Sequence, residues 1–226
     1  MLADISRYKL TYSIIAINII LYIISALGSM DFMDMDNRVL FDMGALYSPA
    51  IVLGNEWWRL FTAMFLHGGM MHIVMNMFSL YIVGRGVEIY FDKLSYLAIY
   101  LSSGLIGGVV SIYIHQDSIG IGASGAIFGI FGALAGFFLA HRDRINSQSK
   151  AFIKNFGTII ALNVVIGLAI PSVDMSAHIG GLIVGVVGGY ILSKKPKSVW
   201  IYSIVISIIL IFMLRYLSSQ YVSAIF

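Results

Sequence analysis

The chain has 226 residues, of which 59% are hydrophobic and only 11% charged, with a mean hydropathy of +0.92. Soluble domains are about half apolar, so this composition excludes one and makes the chain a polytopic membrane protein, whose net charge of +3 says nothing of nucleic acid. Cysteine is absent, which rules out disulfides and thiolate chemistry, and the twelve methionines read as adaptable packing rather than a metal site.

Seven apolar runs lie near 11–28, 70–91, 94–114, 123–140, 156–171, 176–193 and 199–217. Each is about the length that crosses a bilayer core, and backbone hydrogen bonding in lipid then requires helices. The first run follows Arg7 and Lys9 and ends S-A-L-G-S, superficially like a cleavable signal peptide. With six further spans it reads as a retained first helix. Eleven of the fourteen Lys and Arg residues fall in the termini and loops that are cytoplasmic if the N-terminus is inside; the other three are Arg38, Arg59 and Arg215. Cytoplasmic loops carry such an excess, so the N-terminus is expected inside, in the cell membrane, with no lipidation motif.

Between the first two spans runs a long segment, 29–69, which that count places outside. Its Trp57, Trp58 and Arg59 are residues of a membrane interface, so a structured, partly interfacial loop with short helices is expected. The second span opens H-G-G-M-M-H-I-V-M-N-M, with His72 and Asn76 four apart on one helix face and His67 at the helix start. Polar groups at that depth are costly and usually functional, although either histidine alone is also explained as an interhelical donor. A metal site is disfavoured, because the spacing lacks the pattern of H-E-x-x-H. In the third span Gly104, Gly107 and Gly108 read as packing positions. Glu88, after G-R-G-V, is expected near the cytoplasmic side in a structural role.

The fourth span begins within I-G-I-G-A-S-G-A-I-F-G-I-F-G-A-L-A, 119–135. If the helix starts near Ser124, its free N–H groups and positive end surround that hydroxyl, an environment suited to a developing oxyanion. Gly125, Gly129, Gly132 and Gly136 form one face that admits a close neighbour. Alternatively, G-A-S-G is only a small-residue contact with Ser124 bonded to its own helix. The fifth span offers Asn163 and Gly167, sufficient for an interhelical bond. The sixth opens M-S-A-H-I-G-G, and His178, Gly181, Gly185 and Gly188 share a face. Spans two, four and six run in the same direction, so His72, Asn76, Ser124 and His178 gather at one end of the bundle.

On the residues alone, Ser124 and His178 make a nucleophile and its base. Asp174 stands four residues before His178 and is either a third, orienting carboxylate or a solvated loop charge; a dyad is preferred. No H-E-x-x-H and no intramembrane aspartate pair support another protease class, and a transporter would place its polar groups nearer the midplane.

G-A-S-G at 122–125, A-H-I-G-G-L at 177–182, H-x4-H-x3-N from His67 to Asn76 and W-R at 58–59 resemble the rhomboid family of intramembrane serine proteases over nearly the whole chain. The resemblance implies an all-α, rhomboid-like six-helix bundle as catalytic core, residues 1–193, with a seventh transmembrane helix added in 194–226. It implies Ser124 as nucleophile, His178 as base, and His72 and Asn76 as oxyanion-binding residues, with no cofactor and no metal. The expected reaction is hydrolysis of transmembrane protein substrates near their outer ends, in a cavity opening to the external face of the lipid bilayer. The alternative is a catalytically silent rhomboid-like protein that binds membrane clients. Two departures stand out: Phe128 occupies a position where some members carry tyrosine, and Ser176 one where some carry glycine.

Overall fold

The computed structural model describes residues 2–144, 157–158 and 173–225. Helices α1 (Leu2–Arg7) and α2 (Lys9–Ser29) open the chain, and α2 stops where Met30 turns left-handed, its N–H returning to the carbonyls of Ala26 and Leu27. The long connection contains three short helices, α3 (Asn37–Asp42), α4 (Ser48–Val52) and α5 (Arg59–Thr62). The long helices α6 (Met70–Tyr90), α7 (Lys93–Ile114), α8 (Ser124–Ala140), α9 (Met175–Lys194) and α10 (Val199–Ile225) follow. All seven expected spans except that over 156–171 therefore appear as helices. That run, with Asn163, Gly167, Lys150 and Lys154, lies outside the described residues apart from Gly157 and Thr158.

Among the described residues five segments, carrying α2, α6, α7, α9 and α10, are long and apolar enough to cross a membrane, whereas α8 has 17 residues. At a rise of about 1.5 Å per residue, α8 is short for a full crossing. α8 packs on α6, α7 and α9 and is mostly buried, while α10 lies against α7 and α4 and bonds to α7 through the hydroxyls of Tyr202 and Ser102, 2.8 Å apart.

Glycine sets the central contact. A Cβ on Gly181, Gly185 or Gly189 would collide with the backbone carbonyl of Gly125, Gly129 or Ala133, and one on Gly132 or Gly136 with the carbonyl of Leu182 or Val186. The α9 face is thus Gly181, Gly185 and Gly189. Gly188, expected there, instead faces Tyr202 and Ile99. Glycine surrounds α9 on several sides, so spacing alone does not single out the face that meets α8.

The long connection is structured, and its organiser is Arg59. This side chain is 4% exposed and donates to Glu56 and to the carbonyls of Phe41 and Ala45. Its guanidinium lies 4.1 Å from the Phe41 ring centroid, so it is an internal strut rather than an interface residue. Leu46 and Gly120 exchange backbone hydrogen bonds of 2.8 and 3.0 Å, and Gly122 N–H donates to the Ala63 carbonyl at 2.9 Å. The connection is thereby fastened to the residues just before Ser124. At the opposite end of the bundle, Glu88 accepts from Leu10 N–H, Thr11 N–H and the Thr11 hydroxyl, which makes it the cap of α2's first turn.

Candidate active site

Ser124 is the first residue of α8. The preceding residue, Ala123, has no side chain to cap the helix, so the first-turn N–H groups stay open around the serine. The approach turns at Gly122, whose φ of +120° is a conformation for glycine alone. A Cβ at Gly122 would lie 2.8 Å from His72 Nε2 and 3.8 Å from Ser124 Oγ. His72 and Ser124 therefore border the same small space, kept open by a missing side chain.

The position of His72 follows from the turn before α6. Gly68 N–H donates to His72 Nδ1 at 3.4 Å, so in the neutral ring Nδ1 is the acceptor and the proton sits on Nε2, the nitrogen on the Ser124 side. His67 packs edge-on against His72, centroids 5.0 Å apart, and is itself completely buried, with no hydrogen-bond partner on either nitrogen. Burial first and neighbouring His72 second hold the His67 imidazole below its ordinary range, so it serves as a neutral wall. Asn76, 8% exposed, donates through Nδ2 to the His72 carbonyl at 3.2 Å; its hydrogen bond runs to its own helix and not to the serine.

His178 reaches the site from the first turn of α9, where Gly125 and Gly181 let the two backbones touch and a Cβ on Gly125 would lie 3.4 Å from the Ala177 carbonyl. Its ring stacks on Phe128, centroids 4.2 Å apart and planes 10° from parallel. The imidazole is 7% exposed and its Nδ1 has no hydrogen-bond partner. Among the described residues no hydrogen bond joins Ser124 to His178.

Asp174 is neither a solvated loop charge nor a partner of the His178 ring. Its carboxylate caps α9, accepting from Ser176 N–H at 3.0 Å, Ala177 N–H at 3.1 Å and the Ser176 hydroxyl. His115 Nε2 stands 3.6 Å away. Burial alone would raise the pKa of this carboxyl, but bonds from Ser111, Ser176 and Ala177 together with His115 bring it below the usual range. The pattern D-x-S-A at a span's start was the available signal, since aspartate is a favoured N-cap. Among the described residues no three metal-ligating side chains come together.

The rhomboid domain model matches residues 54–195, a stretch that contains His72, Asn76, Ser124 and His178. RHOMBOID-like protein 6, mitochondrial, of Arabidopsis thaliana is 43% identical over 169 residues, 75% of this chain and 54% of that protein. Two Bacillus subtilis relatives are rhomboid protease GluP, 36% identical over 77% of this chain and 33% of its own, and putative rhomboid protease YdcA, 34% identical over 63% and 68%. The chain spans about half the length of the first Arabidopsis relatives it matches.

Proposed function

The chain belongs to the rhomboid family, and on that premise we propose that it is an intramembrane serine endopeptidase acting through a Ser124–His178 dyad. The observation that carries this reading is the glycine-to-glycine contact of α8 with α9, which sets a buried imidazole one helix away from an uncapped serine. His178 takes the proton from Ser124 Oγ as the oxygen attacks the scissile carbonyl carbon. The carbonyl π pair moves onto oxygen, and the new anion is met by His72 Nε2–H, the open N–H groups of α8 and the Asn76 amide once that turns from the His72 carbonyl. His178 then gives its proton to the departing amine, and water hydrolyses the acyl-enzyme by the same exchange.

The absence of a Ser124–His178 hydrogen bond without substrate is compatible with this, because catalytic hydrogen bonds often tighten only in the complex. It is also the observation that favours the second reading, a silent rhomboid-like protein that binds membrane clients. A dyad is supported over a triad, since His178 Nδ1 has no partner and Asp174 Oδ1 is taken up in capping α9.

The substrates of this reading are transmembrane proteins. Their segments must unwind at the site, because a helix holds its carbonyls in its own hydrogen bonds. In the proposed orientation the N-terminus is cytoplasmic and the cleft opens to the external face of the cell membrane. Residues 1–193 form the catalytic core and 194–226 an added helix. The discriminating experiment is cleavage of a generic transmembrane substrate in a gel assay: the wild type cuts and Ser124→Ala does not. A wild type that binds but never cuts selects the client-binding reading.

A further inference from the structure

We infer that Asp174 is a positioning residue which clamps the first turn of α9 to the end of α7 and thereby sets the place of His178; this inference rests on the protease reading above. Contacts from both helices converge on it. Its carboxylate takes the Ser176 and Ala177 N–H groups, at 3.0 and 3.1 Å, and its own carbonyl accepts the N–H of His178 at 3.3 Å. From the end of α7, His115 Nε2 stands 3.6 Å from the same carboxylate.

The clamp lies where packing alone leaves freedom. Glycine contacts hold α9 to α8 with backbones touching, but they contain no side chain that stops α9 from turning about its axis or sliding along α8. On α7 the matching contact is again glycine, since a Cβ on Gly107 would lie 2.7 Å from the Ala177 carbonyl. The capped first turn, paired through Asp174 with His115 at the end of α7, supplies the missing restraint. It acts within one turn of His178, whose ring has stacking on Phe128 but no hydrogen bond at Nδ1. Displacement by about 1 Å costs on the order of 10² in rate when reacting groups must align, so a cap at this place governs turnover as well as stability.

The test uses the full-length protein in liposomes and compares Asp174→Ala and Asp174→Asn with wild type. Asparagine keeps an oxygen that accepts from N–H groups and is as good a cap as aspartate; alanine has none. At a temperature well below unfolding, Asp174→Ala is expected to lower kcat about tenfold to a hundredfold with KM within about twofold, and Asp174→Asn to restore kcat to within about threefold. Amide exchange of residues 176–178 quickens in the alanine variant only. Unchanged kcat or unchanged exchange in Asp174→Ala overturns the inference. So does equal loss in both variants, which indicates that the charge itself acts, as in a triad. A wild type that cuts nothing sinks the protease reading and this inference with it, and the exchange data then show whether the clamp existed apart from catalysis.

Discussion

Phe128 lies flat against His178, with ring planes 10° apart and centroids at 4.2 Å, so one turn beyond Ser124 the helix that carries the serine supports the helix that carries the imidazole. The stack needs a flat apolar ring and no hydroxyl. Phe128→Tyr is therefore expected to leave kcat within about threefold. Phe128→Ala empties a site that is 7% exposed and should cost about 3 kcal/mol of stability along with most of the activity, read by thermal unfolding and turnover together.

The glycine interface makes a graded prediction. Gly185→Ala drives a methyl into the Gly129 carbonyl, and no side chain is present to give way. Gly86→Ala places its methyl 3.5 Å from Leu134, an ordinary contact, and gains helix propensity of up to about 1 kcal/mol. Thermal unfolding should therefore show a marked fall for the first and a neutral or raised midpoint for the second; equal midpoints would refute the packing.

Much of this was legible in the sequence, and for one reason: alternate spans run the same way, so polar residues near their starts gather at one end. His72, Asn76, Ser124 and His178 were singled out by that argument. What escaped is non-local or degenerate. Gly188 and Gly189 are adjacent on a helix rich in glycine, and only the neighbours decide which meets α8. Arg59 beside two tryptophans reads as an interface residue, because nothing local announces that Phe41 and Ala45 turn their carbonyls toward it. The pairing of Leu46 with Gly120 joins residues far apart in the chain and has no periodic signature. Asp174 was readable as a helix cap, and its nearness to His178 drew attention to catalysis instead.

The oxyanion assignment separates His72 from its surroundings. His72→Ala should lower kcat by about 10² to 10³ while the protein stays folded, and Asn76→Ala should lower it less, since the Asn76 amide donates to its own helix. Gly122→Ala combines a left-handed backbone with a methyl 2.8 Å from His72 Nε2 and should abolish cleavage. Full kcat in His72→Ala, measured with the same transmembrane substrate, would demote it to packing.

Orientation is tested in this cysteine-free chain by single cysteines. With the N-terminus inside, a membrane-impermeant thiol reagent applied to whole cells should label Asp117→Cys and leave Ser198→Cys untouched until the cells are opened. The reverse pattern would invert the topology.

The most direct measurement is reaction of the purified protein with a fluorophosphonate, followed by mass-spectrometric location of the adduct. The proposed dyad predicts a single modified residue, Ser124, labelled in the wild type, not labelled after His178→Ala, and indifferent to chelators. A folded wild type that takes no label, an adduct on another residue, or undiminished labelling of Ser124 in His178→Ala would contradict it.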